Sequence, residues 1–218
     1  MKIVIDGNIG SGKTTQLGLL EKKGWTVQRE PIDEWPLAEF YKDPKRWAFL
    51  LHMVILRTLQ PEKNRGHVLL ERSLLSSRYV FWSVLKNHGH VTAEEDETYS
   101  YFYEKTAWYP NLYIYLAKSP EKAFGHIQSR GQAGDSGVTL DYLRELDVEY
   151  RKLIQNIPCK VIIVNAERSA EEIHSEICRH LVENELFSDD QGRNKMPSQG
   201  GRRREMPCSP ITHMCRLS

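Results

Sequence analysis

Short apolar runs rich in β-branched residues recur between longer amphipathic stretches along the chain as far as Phe187. A parallel sheet with crossover helices has this alternation, because strands buried on both faces need continuous apolar runs while each covering helix needs only one apolar stripe. Five runs read as strands: Lys2-Asp6, Thr26-Arg29, Val68-Glu71, Leu112-Ala117 and Val161-Val164. Helical patterns start near Lys13, Pro44, Ser73, Thr92, Ser119, Val138 and Ser169. Ser119-Pro120-Glu121 sets an N-cap residue before a proline at the first helical position, and Thr92 with Glu95 or Ser169 with Glu172 spells a capping box. The acidic run Glu94-Glu95-Asp96-Glu97 reads as a solvated first turn that complements the helix dipole, with no chemistry assigned. The expected fold is α/β, a five-stranded parallel sheet flanked by helices.

From about Phe187 the periodicity fails, and Asp189 to Arg204 is polar with nothing to bury. The predicted organisation is therefore one domain over residues 1–186 and a disordered tail over 187–218. The triplet Arg202-Arg203-Arg204 reads as solvated. A length of 218 residues suits one α/β domain, and 30 Lys+Arg against 29 Asp+Glu, a net charge of +1, favours a small-molecule partner over nucleic acid or a membrane surface. The cysteines at 159, 178, 208 and 215 have neither a C-x-x-C pair nor zinc-like spacing, so reduced thiols are expected. Met1-Lys2 and a few apolar positions are too short for a signal-peptide core, and the expected location is cytoplasmic.

Chemistry enters at Gly7-Asn8-Ile9-Gly10-Ser11-Gly12-Lys13-Thr14, a complete G-x-x-x-x-G-K-T phosphate loop directly after the first strand. Its backbone N–H groups turn inward around phosphates, which needs angles and close approaches that a Cβ obstructs. Lys13 supplies a cation for the β/γ-phosphates, Thr14 offers a hydroxyl to Mg²⁺, and Thr15 continues into a helix whose N-terminus favours anions. ATP and Mg²⁺ are the expected cofactors, and the fold is expected to be that of the phosphate-loop NTPases.

Three further constellations follow strand ends, where open α/β sheets bind ligands. Glu30-Pro31 ends the second strand, and a carboxylate there can take a proton from an attacking hydroxyl. Glu71-Arg72-Ser73 ends the third, placing an acid for Mg²⁺ and an arginine for the transferred phosphoryl group. His126 to Gly137 breaks from a helix into a glycine-rich loop suited to a lid, in which Arg130 would supply transition-state charge. The set Trp35, Leu37, Phe40, Tyr41, Trp47, Phe49 and Leu51 reads equally as core or as a flat slot for a base, with Tyr41 presenting a hydroxyl to a sugar.

Together the phosphate loop, Glu30-Pro31 with Trp35, Tyr41-Lys42-Asp43-Pro44-Lys45-Arg46-Trp47, Glu71-Arg72-Ser73 with Arg78-Tyr79, and Ser119-Pro120-Glu121 resemble the deoxyribonucleoside kinases over nearly the whole chain to about residue 183. The resemblance implies transfer of the ATP γ-phosphoryl group to a deoxynucleoside 5′-hydroxyl. It implies Glu30 as general base, Arg72 as the arginine orienting it, and Thr14 and Glu71 toward Mg²⁺. Tyr41 and the lid acid Asp135 would hold the sugar 3′-hydroxyl, and Ile9, Trp35, Leu37, Leu51, Ile55 and Leu59 would wall the base slot. The family commonly carries Phe-Gln where this chain has Leu51-His52, which leaves base selectivity open. Cytidine-preferring members pair an arginine with an aspartate at positions resembling Leu59 and Ser77, so thymidine is expected first and deoxycytidine second. The lid has Gln132 where relatives often keep a second arginine. Family members are commonly homodimers, and Tyr99, Tyr101, Phe102, Tyr103 and Trp108 read as either a dimer face or internal core. Rival readings are a thymidylate kinase, which shares Arg29-Glu30-Pro31 but not the residues that follow, and a non-enzymatic ATP-binding switch.

Overall fold

The computed structural model describes residues 1–62, 66–131 and 137–184. Five strands form one parallel sheet in the order β2-β3-β1-β4-β5, namely β1 Lys2–Asp6, β2 Val27–Gln28, β3 Val68–Glu71, β4 Leu112–Ala117 and β5 Lys160–Asn165. Ile3 and Ile5 of β1 join Leu69, Leu112, Ile114, Leu116, Ile162 and Val164 in one core, under α1 (Lys13–Lys22) and α9 (Ala170–Glu183). Val4 faces the opposite way with Leu70, Tyr113 and Tyr115, toward α3 (Pro44–Thr58), α6 (Ala93–Thr106) and α8 (Leu140–Asn156). The period-two side-chain alternation thus divides each central strand between two apolar layers, which is why these runs are apolar at every position.

The helix starts follow local chemistry. The Thr92 and Ser169 hydroxyls accept from the amides of Glu95 and Glu172, whose side chains answer in complete capping boxes. Pro120 does open α7 (Pro120–Arg130), but Ser119 makes no side-chain cap bond there, and its amide instead donates to Glu167. The helix expected from Val138 begins at Leu140 with the Thr139 hydroxyl as cap. Strand β2 is shorter than expected, spanning Val27–Gln28.

Other elements depart further from the sequence pattern. A short 3-10 turn at Ile32–Glu34 leads to α2 (Leu37–Lys42), a helix whose proline-flanked start obscured it. The helix expected from Ser73 is three pieces, α4 (Leu74–Ser76), a wide turn over Ser77–Phe81 and α5 (Trp82–Asn87). Such wide turns insert a residue into the helical ladder and collect at functional sites. Asp96 is not a solvated first-turn acid: it accepts from Trp82 Nε1 at 2.6 Å and Arg78 Nη1 at 3.1 Å, and pairs with Lys86. Among the described residues no helix is long and apolar enough to cross a membrane.

Candidate active site

Strand β1 delivers the phosphate loop to the C-terminal edge of the sheet. Gly7, Gly10 and Gly12 all take positive φ, and a Cβ on Gly10 (φ 79°) would stand 2.5 Å from the Ala123 carbonyl oxygen. The loop therefore needs glycine both for its turn and for its approach to α7. Asn8 is fully buried and pins the loop to α8, its Nδ2 donating to the Leu143 carbonyl at 2.8 Å. Lys13 Nζ donates to the carbonyls of Gly7 and Asn8, both at 3.1 Å. Burial first and then the Arg72 charge bring its ammonium down to about 8, a setting that anionic phosphates would counter. Ser11 Oγ is buried with no hydrogen-bond partner among the described residues, as suits a hydroxyl meant for an anionic ligand.

Thr14 and Glu71 meet across the loop, the Thr14 hydroxyl donating to Glu71 Oε1 at 2.8 Å. Two hard oxygen donors at the mouth of a phosphate loop fit a magnesium ion whose remaining ligands are phosphate oxygens and water.

Arg72 follows β3 with φ 62°, the only non-glycine residue with positive φ among those described. A left-handed arginine costs on the order of 1 kcal/mol or more, so its surroundings must hold it there. Its Nε lies 3.0 Å from Glu30 Oε1, its Nη1 donates to the Gly7 carbonyl at 3.1 Å and to the Tyr150 hydroxyl, and its guanidinium stands 4.8 Å from the Phe81 ring centre. Burial works against the charge, but Tyr150, Glu30, Asp6 and Glu71 outweigh it and hold the guanidinium above its usual value. Glu30 keeps 13% side-chain exposure, and burial lifts its carboxyl to about 7 against the opposing pull of Arg72. A carboxyl poised near neutrality beside an arginine fork can exchange a proton with a hydroxyl brought to it.

On the acceptor side, Trp35 Nε1 donates to Thr58 Oγ1 at 2.9 Å, and Ile9, Trp35, Leu37 and Tyr41 are half-buried against the larger core. Leu51, Ile55 and Leu59 are buried in that core, as are Phe40 and, further along the chain, Tyr99, Tyr103 and Trp108. The backbone of Gly137, where the described chain resumes, packs on the Tyr41 ring. Asp135 and Gln132 lie outside the described residues, while Arg130 closes α7 ahead of the left-handed Gly131.

His52 is 2% exposed. Burial and the nearby Arg78 charge hold its imidazole at about 3, so it is neutral. Its Nδ1 is 3.2 Å from Ser77 Oγ, which is 3.3 Å from the fully buried Tyr99 hydroxyl. The Tyr99 hydroxyl, the Ser77 hydroxyl and His52 Nδ1 thus form one buried hydrogen-bonded chain. The ring also packs edge-on to Trp82 at 5.1 Å and Tyr99 at 5.7 Å. Ser77, the first residue of the wide turn, thus orients the histidine.

Sequence reasoning missed Asp6, Tyr113, Tyr142 and Tyr150. Burial pushes the Tyr142 hydroxyl above its usual value, with smaller contributions from Tyr41 and Arg72. The three tyrosines sit in ordinary apolar patterns, and only packing brings them to the crevice.

Comparison with known proteins agrees with this geometry. The fowlpox virus protein named "Probable deoxycytidine kinase" is 32% identical over 168 residues, covering 69% of this chain and 70% of its own. The thymidine kinase of Ictalurid herpesvirus 1 is 29% identical over 184 residues, covering 78% and 80%. A solved structure of deoxyadenosine kinase from M. mycoides, with dCMP and dCDP bound, superposes with a TM-score of 0.77 at 27% identity, covering 84% of this chain and all of that one. The deoxynucleoside kinase family model matches residues 3–186. The chain belongs to the deoxynucleoside kinase family, whose members use ATP to phosphorylate deoxynucleosides.

Proposed function

We propose that the chain transfers the ATP γ-phosphoryl group to the 5′-hydroxyl of a pyrimidine deoxynucleoside, thymidine or deoxycytidine, with Glu30 as general base. The observation that carries this is the Glu30 to Arg72 pair at 3.0 Å, within the crevice that begins at the phosphate loop. Glu30 takes the hydroxyl proton as the oxygen attacks phosphorus, and ADP leaves with the bond to its β-phosphate oxygen broken. Arg72 orients Glu30 and faces the reacting oxygens. Lys13 neutralises the β/γ-phosphates, and Arg130, at the end of α7, adds charge there. Thr14 and Glu71 would hold Mg²⁺, which supplies charge neutralisation at the phosphates.

For the acceptor we propose Tyr41 and Asp135 at the sugar 3′-hydroxyl and a base slot walled by Ile9, Trp35, Leu37, Leu51, Ile55 and Leu59. His52, set by Ser77, meets the base edge. Leu59 and Ser77 supply neither charge of an arginine–aspartate pair, which leaves room for the thymine methyl. Exposed Tyr101 (58%) and Phe102 (43%) on α6 support a homodimer face, and free Cys159 and Cys178 support a cytoplasmic location. We keep residues 1–186 as the kinase domain, and the tail expected over 187–218 lies outside the described residues.

Initial rates with ATP and Mg²⁺ over thymidine, deoxycytidine, deoxyadenosine, deoxyguanosine and thymidine monophosphate test the reading. A pyrimidine nucleoside should lead, while a purine preference or a faster reaction with the monophosphate would overturn it.

A further inference from the structure

Asp6 has no role in the reading above, yet it is the most heavily bonded carboxylate beside the site. It ends β1, fully buried. Its Oδ2 accepts from the Tyr113 hydroxyl of β4 at 2.7 Å, and its Oδ1 accepts from the Tyr150 hydroxyl of α8 at 2.9 Å and from the Gly7 amide at 2.7 Å. Arg72 Nη1 reaches the same Oδ1 at 3.4 Å, the longest of the four contacts.

Arg72 therefore stands between two carboxylates, 3.0 Å from Glu30 and 3.4 Å from Asp6. A buried carboxylate without other donors would draw the guanidinium into a close, bidentate pair, since an unmatched buried charge is costly. Here two phenols and an amide meet that demand instead. Burial, with the neighbouring Asp6 charge, pushes both phenols well above their usual range, so each stays protonated and keeps donating. The Tyr150 hydroxyl also accepts from Arg72, tying the arginine to α8 on the side away from Glu30.

We propose that Tyr113 and Tyr150 are positioning residues for phosphoryl transfer, which satisfy Asp6 and thereby leave the Arg72 fork turned toward Glu30 and the acceptor hydroxyl. The proposal rests on the reading of Glu30 as base. It explains why a carboxylate that touches neither nucleotide nor nucleoside in that reading is surrounded by groups from the phosphate loop, β4, α8 and the turn after β3. Tyr150, bonded to both Asp6 and Arg72, should matter more than Tyr113, which bonds Asp6 alone.

The test compares Tyr113→Phe, Tyr150→Phe and the double variant Asp6→Asn with Tyr150→Phe, reading kcat, both KM values and ATP affinity by titration. Tyr150→Phe should lower kcat roughly tenfold while KM for ATP and ATP affinity stay within about twofold, and Tyr113→Phe should lower kcat less. Adding Asp6→Asn to Tyr150→Phe should restore most of the lost kcat, because a neutral amide no longer competes for the guanidinium. Undiminished kcat in Tyr150→Phe, or a double variant slower than the single, overturns the proposal. If Tyr150→Phe does not fold, Tyr113→Phe with and without Asp6→Asn makes the same comparison. Glu30→Gln run alongside separates the two claims: full turnover there removes the base, whereas a large loss there with none in the tyrosine variants removes only the positioning role.

Discussion

In the proposed site, residues 7–15 build the donor half within one strand-to-helix turn, whereas the proposed acceptor half draws Glu30, Tyr41, His52, Ser77 and Tyr99 from five separate segments. The donor half recognises phosphate through backbone N–H groups, so its requirement is a chain path. Glycine at 7, 10 and 12 meets it, and a Cβ at Gly7 or Gly10 meets carbonyl oxygen at 2.8 or 2.5 Å. The proposed acceptor half relies on side-chain atoms, of which Glu30 is paired with Arg72 and His52 with Ser77, both from other elements.

Separating the halves by mutation gives the largest expected effect first. Glu30→Gln keeps the shape and removes the base, so kcat should fall by a hundredfold or more, on the order of general-base contributions, with ATP affinity nearly intact. Wild-type turnover would end the contrast, because the acceptor half would then hold no chemistry. Gly10→Ala attacks the other half. With φ 79° and the Ala123 oxygen in the way, ATP affinity should weaken roughly ten- to a hundredfold, while nucleoside binding measured without ATP stays unchanged. Parallel loss of both affinities would mean that the halves are one cooperative unit.

The pH profile comes next. Burial raises the Glu30 carboxyl to about 7, so its proton-accepting form fills as pH rises through that value. With both substrates well below saturation, rate should climb about tenfold between roughly pH 6 and pH 8, and Glu30→Gln should abolish that rise. A profile flat over this range would place the base elsewhere. The smallest effect concerns the base edge. With Nδ1 engaged by Ser77, His52 has one ring nitrogen left for a base edge, whereas glutamine offers both a donor and an acceptor. His52→Gln should therefore narrow the ratio of kcat/KM between thymidine and deoxycytidine by a few-fold, within the roughly 1 kcal/mol that one neutral hydrogen bond contributes. Competition assays with the two nucleosides measure it, and an unchanged ratio would take His52 off the base.

Legibility followed the same division. The strands β1, β3 and β4 have the boundaries their apolar runs predict, and both capping boxes are complete, because each is decided by residues adjacent in the chain. Three sites were harder. Helix α2 is absent from the expected helices, because Pro36 at its start disfavours helix for the residue before it. The wide turn at Ser77–Phe81 has no local signature, since Ser-Arg-Tyr-Val-Phe fits an ordinary helix. Asp96 looked like a solvated cap acid until packing brought Trp82, Arg78 and Lys86 to it.

What the sequence by itself determined is the phosphate loop, the parallel α/β frame and the identity of Glu30, Glu71 and Arg72 at strand ends, all carried by spacing along a few residues. What only the tertiary structure decided is how those groups are set. The Asp6, Tyr113 and Tyr150 cluster behind Arg72 and the Tyr99, Ser77 and His52 chain each join residues tens of positions apart. The physical reason is that a buried hydrogen bond needs its partner in space, and burial, which lifts Glu30 and keeps His52 neutral, is a property of the whole packed chain.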